Sequence, residues 1–152
     1  MKKITLIPGD GIGTEISKSL VRIFKSAKVP IEFEIENAGL TVYEQTGELI
    51  PESLYKSIEK NKVAIKGPIT TPIGEGFKSI NVSLRKKYDL YSNIRPVKTI
   101  SGINTKYENV NMVIFRENTE GLYIGEEKFE NQEKTSAIAI KRITKKGSIR
   151  II

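Results

Sequence analysis

The first seventy residues alternate between short apolar runs and amphipathic stretches. The run Lys3–Pro8 is almost wholly apolar and predicts a buried strand, and strict alternation over Ile31–Gly39 predicts a half-buried one. Between them, Thr14–Ala27 carries apolar residues at helical spacing and predicts an amphipathic helix. Its expected buried stripe comprises Ile16, Leu20, Ile23, Phe24 and Ala27.

A second helix and strand follow in the same order. Pro51–Asn61 opens with proline at a first helical position, and Lys62–Pro68 reads as a short strand that ends at Gly-Pro. Strands that alternate with helices are typical of an α/β fold with a parallel or mixed sheet.

The pattern changes after Ile94–Pro96. Val110–Phe115 predicts another buried strand, whereas LYIG (122–125) and Thr135–Thr144 predict strands separated by a charged stretch and not by a helix. We therefore expect a domain change near residues 97–100, with one domain over 1–98 and another over 99–152. At the end, Ser148 is a candidate helix N-cap before one apolar turn. Because an isolated turn is unstable, this predicts a chain interrupted inside a larger architecture, with a frayed tail as the alternative.

Composition narrows the chemistry. The chain has 152 residues, 38% of them hydrophobic, with no cysteine and no histidine. The absence of both residues excludes disulfides, thiolate and imidazole metal sites and a Ser-His-Asp triad. Acid or base chemistry must therefore use Asp, Glu, Lys or Tyr, and any metal must be a hard ion such as magnesium. The apolar runs are too short to cross a bilayer and the first residues lack a signal-peptide core, so we expect a cytoplasmic protein without membrane contact.

The net charge of +7 invites a nucleic-acid interpretation. The lysines, however, are scattered among Glu and Asn and are not interleaved with aromatics, so we expect no nucleic-acid partner. A solvated lysine-rich surface or a small anionic substrate explains the excess equally well. The glycines Gly9, Gly11 and Gly13 read G-x-G-x-G, which matches neither the dinucleotide fingerprint nor the phosphate loop, and they predict a strand-to-helix turn.

Residues 67–96 carry the most chemistry. A loop around Thr70 precedes a helix from about Ser79, on which Asn81 and Arg85 share a face. A separate apolar stripe on that helix comprises Ile80, Leu84 and Tyr88. Arg95 precedes Pro96 and is expected to have an extended backbone. Arg116 directly follows the strand predicted at Val110–Phe115. Converging arginines suit a di- or tricarboxylate, although each arginine alone is explained as a surface or structural ion pair.

These motifs together resemble a known family. SINVSLR (79–85), DLYSNIRP (89–96) and FRENTEGLYIGEE (115–127) are similar to the isocitrate dehydrogenase branch of the NAD(P)-dependent β-decarboxylating 2-hydroxyacid dehydrogenases. IPGDGIGTEI and TTPIGEG fit the same family, and the resemblance runs from residue 3 to 152. The isopropylmalate branch lacks the Ser-x-Asn pair, whereas the homoisocitrate branch shares RENTEGLY.

The resemblance implies an incomplete isocitrate/isopropylmalate dehydrogenase-like α/β fold with the start of a small clasp domain. It implies hydride transfer from isocitrate or a similar tricarboxylate to NAD or NADP, assisted by Mg²⁺ or Mn²⁺, then decarboxylation and protonation of the enol. Thr70 would lie beside the nicotinamide, and Tyr123 would be the acid. The substrate carboxylates would be held by Ser79, Asn81, Arg85, Arg95 and Arg116.

Family members are more than twice this length. The lysine contributed across the dimer, the magnesium-binding aspartates and the adenosine-binding loop have no counterpart here. We therefore expect the N-terminal portion of an isocitrate dehydrogenase, inactive alone, that forms a homodimer or joins a complementing C-terminal half. The alternatives are a portion of a homoisocitrate dehydrogenase and a non-catalytic regulatory paralogue, and the presence of Tyr123 and the three arginines counts against the latter.

Overall fold

The structure, a computed structural model, describes residues 1–70 and 79–152. Most of the TTPIGEG motif (70–76), namely residues 71–76, lies outside the described residues. The chain forms two compact units, Met1–Ile80 and Asn81–Ile152. The boundary expected between residues 98 and 99 falls inside the second unit, because the strand that ends at Lys98 pairs with the strand that follows it.

The first unit is built on a parallel sheet. Its elements are β1 (Lys2–Ile7), α1 (Ile12–Ser26), β2 (Ile31–Ile35), α2 (Leu40–Thr46), α3 (Glu52–Asn61) and β3 (Ala64–Lys66). The strand order is β2-β1-β3, and both pairings are parallel. This confirms the α/β architecture predicted from the alternation of strands and helices.

The core of the first unit lies around β1. The side chains of Ile4, Leu6 and Ile7 are buried, as is Leu54 of α3. Buried polar groups are paired: the hydroxyl oxygens of Thr5 and Ser57 lie 2.8 Å apart. A buried hydroxyl pair of this kind satisfies groups that would otherwise destabilise the core.

Helix α1 packs by only part of the expected face, since Leu20 and Phe24 are half-buried and Phe24 packs edge-on against Phe33. Ile16 and Ile23 are 49% and 64% exposed, whereas Gly13 and Ser17 are buried. The Ser17 hydroxyl donates a hydrogen bond to the carbonyl oxygen of Pro8 at 3.3 Å, so the small residues approach the turn closely. The prediction of an apolar buried stripe was wrong for Ile16, Ile23 and Ala27, which are exposed, because this close backbone approach sets the helix orientation.

The second unit consists of short elements. They are α4 (Ile80–Lys87), which starts at the junction with the first unit, β4 (Ser92–Lys98), β5 (Asn111–Glu117), a 3₁₀ turn at Leu122–Ile124, β6 (Glu127–Phe129), β7 (Ala137–Ala139) and α5 (Lys145–Ile151). β4 and β5 form an antiparallel ribbon, and β6 and β7 form another. No helix within the described ranges is long and apolar enough to cross a bilayer.

Three sequence predictions for this unit were wrong. The strand expected to be buried at Val110–Phe115 is exposed, because among the described residues β5 has a strand neighbour on one edge only and its side chains are left uncovered. LYIG forms a 3₁₀ turn, and β6 lies within the charged stretch that was expected to be a connection. The N-cap of α5 is Thr144, whose side-chain oxygen accepts the Gly147 N–H, and not Ser148.

Candidate active site

The glycine turn after β1 is a packing device. Gly9 has φ +80° and Gly11 has φ +52°, which are left-handed conformations that favour glycine. A Cβ on Gly9 would lie 1.8 Å from the carbonyl oxygen of Pro68, and one on Gly13 would lie 2.6 Å from it. The glycines let the turn approach the chain after β3, which confirms the prediction of a strand-to-helix turn.

Asp10, in the same turn, organises the neighbouring backbone. Its Oδ2 accepts hydrogen bonds from the backbone N–H groups of Leu40 at 3.0 Å and Thr70 at 3.3 Å, and its Oδ1 accepts one from the Thr41 hydroxyl at 3.2 Å. Thr70 is therefore fixed through its main chain while its side chain is exposed. Its expected position beside a nicotinamide stays a prediction.

In the second unit, the β4–β5 ribbon brings two predicted arginines to one face. Arg116 lies directly opposite Asn93 in the register, and Arg95 lies two residues beyond Asn93 on the same strand. Residues two apart on a strand project to the same side. The Arg95 Nε donates a hydrogen bond to Asn93 Oδ1 at 3.2 Å, which holds the guanidinium along that face.

Tyr123 lies between two of the arginines. Arg116 Nη2 donates a hydrogen bond to the Tyr123 hydroxyl oxygen at 2.6 Å. The guanidinium carbons of Arg85 and Arg116 lie 5.4 Å and 5.6 Å from the Tyr123 ring centroid, within the range of a cation–π contact. We call Arg85, Arg95, Arg116 and Tyr123 the arginine cluster.

Helix α4 presents the remaining predicted residues. Ile80 and Leu84 are buried and Tyr88 is half-buried, in agreement with the predicted apolar stripe. Asn81 and Arg85 are one turn apart and share a different face of the helix. Ser79 immediately precedes the helix. Ser79 and Thr70 belong to the first unit, so their part in a shared site stays a prediction.

Glu117 holds the end of β5. Burial by itself raises the pKa of its carboxyl, but hydrogen bonds from the Thr119 hydroxyl, the backbone N–H groups of Glu120 and Thr119 and the Arg150 guanidinium outweigh burial and lower the pKa to about 2. The carboxylate lies 3.1 Å from Arg150 Nη2. Glu117 is therefore a structural anion held in its charged form.

Sequence reasoning missed Asn93, Glu117 and Arg150. Asn93 could have been found from the strand period of two, since it lies two residues before Arg95 in the motif DLYSNIRP. Glu117 and Arg150 could not have been paired, because they lie 33 residues apart and nothing in the local pattern links them.

The described donor groups do not fit a metal. No group of three or more His, Cys, Asp or Glu side chains in residues 1–70 and 79–152 is arranged to hold an ion. The Glu126 carboxylate is paired with Arg142 at 2.7 Å, and Asp89 with Arg150 at 3.1 Å. The ligands expected for Mg²⁺ or Mn²⁺ are not supplied by this set.

Known proteins are similar to this chain in sequence. Residues 3–152 match the family described as isocitrate/isopropylmalate dehydrogenase. The chain is 52% identical over 99% of its length to a mitochondrial regulatory chain of NAD isocitrate dehydrogenase from Dictyostelium discoideum, of which it covers 40%. It is 43% identical over 98% of its length to the chloroplastic 3-isopropylmalate dehydrogenase of Solanum tuberosum, of which it covers 41%.

A solved structure shows that the similarity extends to the fold. The isocitrate dehydrogenase of Methylococcus capsulatus superposes with a TM-score of 0.90 at 44% identity, covering 99% of this chain and 45% of that one. The chain thus spans less than half the length of these relatives. The incomplete isocitrate/isopropylmalate dehydrogenase-like α/β fold predicted from the motifs is confirmed.

One prediction is contradicted by these comparisons. The isocitrate dehydrogenase relatives from Dictyostelium discoideum, Schizosaccharomyces pombe, Saccharomyces cerevisiae and Arabidopsis thaliana are all named as mitochondrial, so the cytoplasmic location expected from the sequence is wrong.

The family of the chain rests on three kinds of likeness that agree: the motifs, a family match over nearly the whole chain and a superposable fold. The chain belongs to the isocitrate/isopropylmalate dehydrogenase family.

Proposed function

We propose that this chain is the N-terminal portion of an NAD(P)-dependent isocitrate dehydrogenase, and that its second unit supplies the carboxylate-binding arginines and the proton donor. The observation that carries the proposal is the 2.6 Å hydrogen bond from Arg116 to the Tyr123 hydroxyl oxygen, with Arg85 on the same ring. Oxidative decarboxylation leaves an enol that must be protonated at carbon. The reaction therefore requires a positioned O–H group that can donate this proton.

The polarity of that hydrogen bond suits a proton donor. A guanidinium can only donate, so the phenol oxygen accepts from Arg116 and its own proton is left to be given to a substrate carbon. The negative charge that develops on the oxygen in that step lies beside two cations. Fixed charges aimed at developing charge are a major source of catalysis.

The arginines suit a substrate with several carboxylates. Arg95 and Arg116 share a ribbon face, and Arg85 reaches the same tyrosine from α4. Guanidinium N–H groups bind carboxylates in bidentate geometry. We assign Ser79 and Asn81 to the same substrate and Thr70 to the nicotinamide, by their positions in the family motifs.

NAD or NADP would accept the hydride, and Mg²⁺ or Mn²⁺ would polarise the substrate oxygens. Because the described residues do not form the metal site, we assign its ligands to a complementing C-terminal half. The names of the relatives support NAD over NADP and a mitochondrial location.

A regulatory role is the second candidate, favoured by the name of the Dictyostelium discoideum relative. The arginine cluster would then bind an anion without turnover. Tyr123 within the cluster opposes this, since anion binding alone does not need a proton donor.

The test is a chimera in which residues 1–152 replace the matching part of the Methylococcus capsulatus enzyme. We expect NAD(P)⁺ reduction with isocitrate, lower rates with homoisocitrate and 3-isopropylmalate, and none by the 152-residue chain alone. A folded chimera that binds isocitrate without turnover would favour the regulatory candidate. A folded chimera that binds none of the three acids would refute both.

A further inference from the structure

Arg150 on α5 contacts three segments of the second unit. Its Nη1 lies 3.1 Å from both carboxylate oxygens of Asp89, its Nη2 lies 3.1 Å from Glu117 Oε1, and its guanidinium carbon lies 4.6 Å from the Tyr91 ring centroid. Asp89 follows α4, Tyr91 precedes β4, and Glu117 ends β5. These are the elements that carry Arg85, Arg95 and Arg116, respectively.

Glu117 is held by further hydrogen bonds. The other carboxylate oxygen of Glu117 accepts the backbone N–H groups of Thr119 at 2.9 Å and Glu120 at 2.7 Å. Next along the chain, the Asn118 N–H donates to the Tyr91 carbonyl oxygen at 2.8 Å. The end of the ribbon is thus fastened one residue from Arg116.

Arg150 contacts the face of the ribbon opposite to the one that carries Arg116. Glu117 follows Arg116 directly in β5, so strand alternation directs the two side chains to opposite faces of the ribbon. The Arg150 side chain is only 21% exposed, and its Nε is buried without a hydrogen-bond partner among the described residues. The planar guanidinium suits these contacts, since a lysine ammonium cannot address two carboxylates and stack on a ring.

We infer that Arg150 is a positioning residue of the candidate active site: by joining Asp89, Tyr91 and Glu117 it fixes α4, β4 and β5 at the spacing that lets Arg85, Arg95 and Arg116 meet one polycarboxylate. This inference rests on the proposed function. It assigns Arg150 no contact with substrate.

The kinetic test compares Arg150→Lys with Arg142→Lys in the chimera. Arg142 is an exposed arginine of the same unit that pairs with Glu126, outside these contacts. We expect Arg150→Lys to raise the KM for isocitrate about tenfold while the KM for the cofactor stays within about twofold, and Arg142→Lys to change neither. Combined with Arg116→Lys, the effect should be less than multiplicative, because both changes loosen the same site. A folded Arg150→Lys chimera with an unchanged isocitrate KM, or with equal rises in both KM values, would overturn the inference.

A spectroscopic test uses the 152-residue chain itself, with tyrosines labelled with ¹³C at Cζ and the Tyr123 signal assigned from Tyr123→Phe. Arg150→Lys should move that signal, and Arg142→Lys should not. If Arg150→Lys fails to fold, Asp89→Asn removes only the ion pair between Asp89 and Arg150. This variant should move the signal in the same direction. A chimera without isocitrate turnover, together with a moved signal, refutes the proposed function alone. Turnover with an unmoved signal refutes the positioning role alone.

Discussion

Arg116 and Glu117 are neighbours in β5 that lie on opposite faces of the ribbon, one donating to the Tyr123 hydroxyl and the other bound to Arg150. The strand therefore joins a surface that can meet a substrate to a surface that holds the fold and positions that site. Substitution of Arg116 should change kinetics, whereas substitution of Glu117 should also lower stability.

Replacing the Tyr123 hydroxyl tests the proton donor. In the chimera, Tyr123→Phe should lower kcat by about 100-fold or more, the usual worth of a general acid, with the isocitrate KM changed by less than about threefold. Steady-state NAD(P)H formation measures both. Tyr107→Phe is the control, since Tyr107 is 67% exposed and its ring contacts Lys106. A Tyr123→Phe chimera with wild-type kcat would contradict the assignment.

Arg95→Lys tests carboxylate recognition. The charge is kept but paired N–H donation is lost, so the isocitrate KM should rise about tenfold, corresponding to about 1.4 kcal/mol of binding energy. The same change at Arg142 should leave KM unaltered. The assignment fails if both lysine variants bind isocitrate as the parent does.

Glu117 should make stability depend on acid pH. Its pKa is lowered to about 2 from 4.5 in the folded chain, so the unfolded state binds more protons between those values. The stabilisation is complete above pH 4.5 and is lost as pH falls through the folded pKa. Of a total of about 3 kcal/mol, about 2 kcal/mol should be lost between about pH 6 and about pH 3.

Urea unfolding of the chain and of Glu117→Gln at the two pH values measures this loss. The variant should be the less stable protein at about pH 6, and the gap should narrow by about 2 kcal/mol at about pH 3. The other carboxylates are present in both proteins, so the pH dependence common to both cancels in the comparison. A gap independent of pH would show that the carboxyl has an ordinary pKa.

The glycine turn gives a stability test in the first unit. Gly9→Ala would place a Cβ 1.8 Å from a backbone oxygen that cannot move aside easily, whereas a Cβ on Gly11 meets nothing within 4 Å. Both glycines have positive φ, so Gly11→Ala carries the conformational cost alone, about 1 kcal/mol. Gly9→Ala should cost at least about 3 kcal/mol, since strain and clash add. Thermal unfolding compares them, and equal losses would contradict the close packing.

Local patterns predicted the first unit better than the second. The alternation over residues 2–66 indicated β1, α1, β2, α3 and β3, because each is a continuous segment with a local pattern of its own, although in α1 that pattern did not report which side chains are buried. In the second unit, β5 has an apolar sequence although Met112 and Phe115 are 52% and 56% exposed, so composition did not report burial there. α2 and β4 were missed, since Leu40–Thr46 is short and polar and Ser92–Lys98 contains a proline.

The candidate site was predictable as a set of residues but not as an arrangement. Motifs identified Arg85, Arg95, Arg116 and Tyr123, whereas the strand predicted at LYIG would have directed Tyr123 differently from the 3₁₀ turn that brings its hydroxyl to Arg116. Contacts across 33 residues, such as Glu117 with Arg150, depend on how the ribbon and α5 pack, which no local period encodes.

Position 89 requires both a backbone with positive φ and a negatively charged side chain, and aspartate meets both requirements. Its φ is +45°, a conformation that glycine and asparagine accept readily, but neither of them carries the charge that Arg150 meets. Glutamate would keep the charge but tolerates that backbone less well. Aspartate satisfies both, so this position should accept few replacements although its side chain is 69% exposed, and a saturation library would find it far less permissive than its exposure implies.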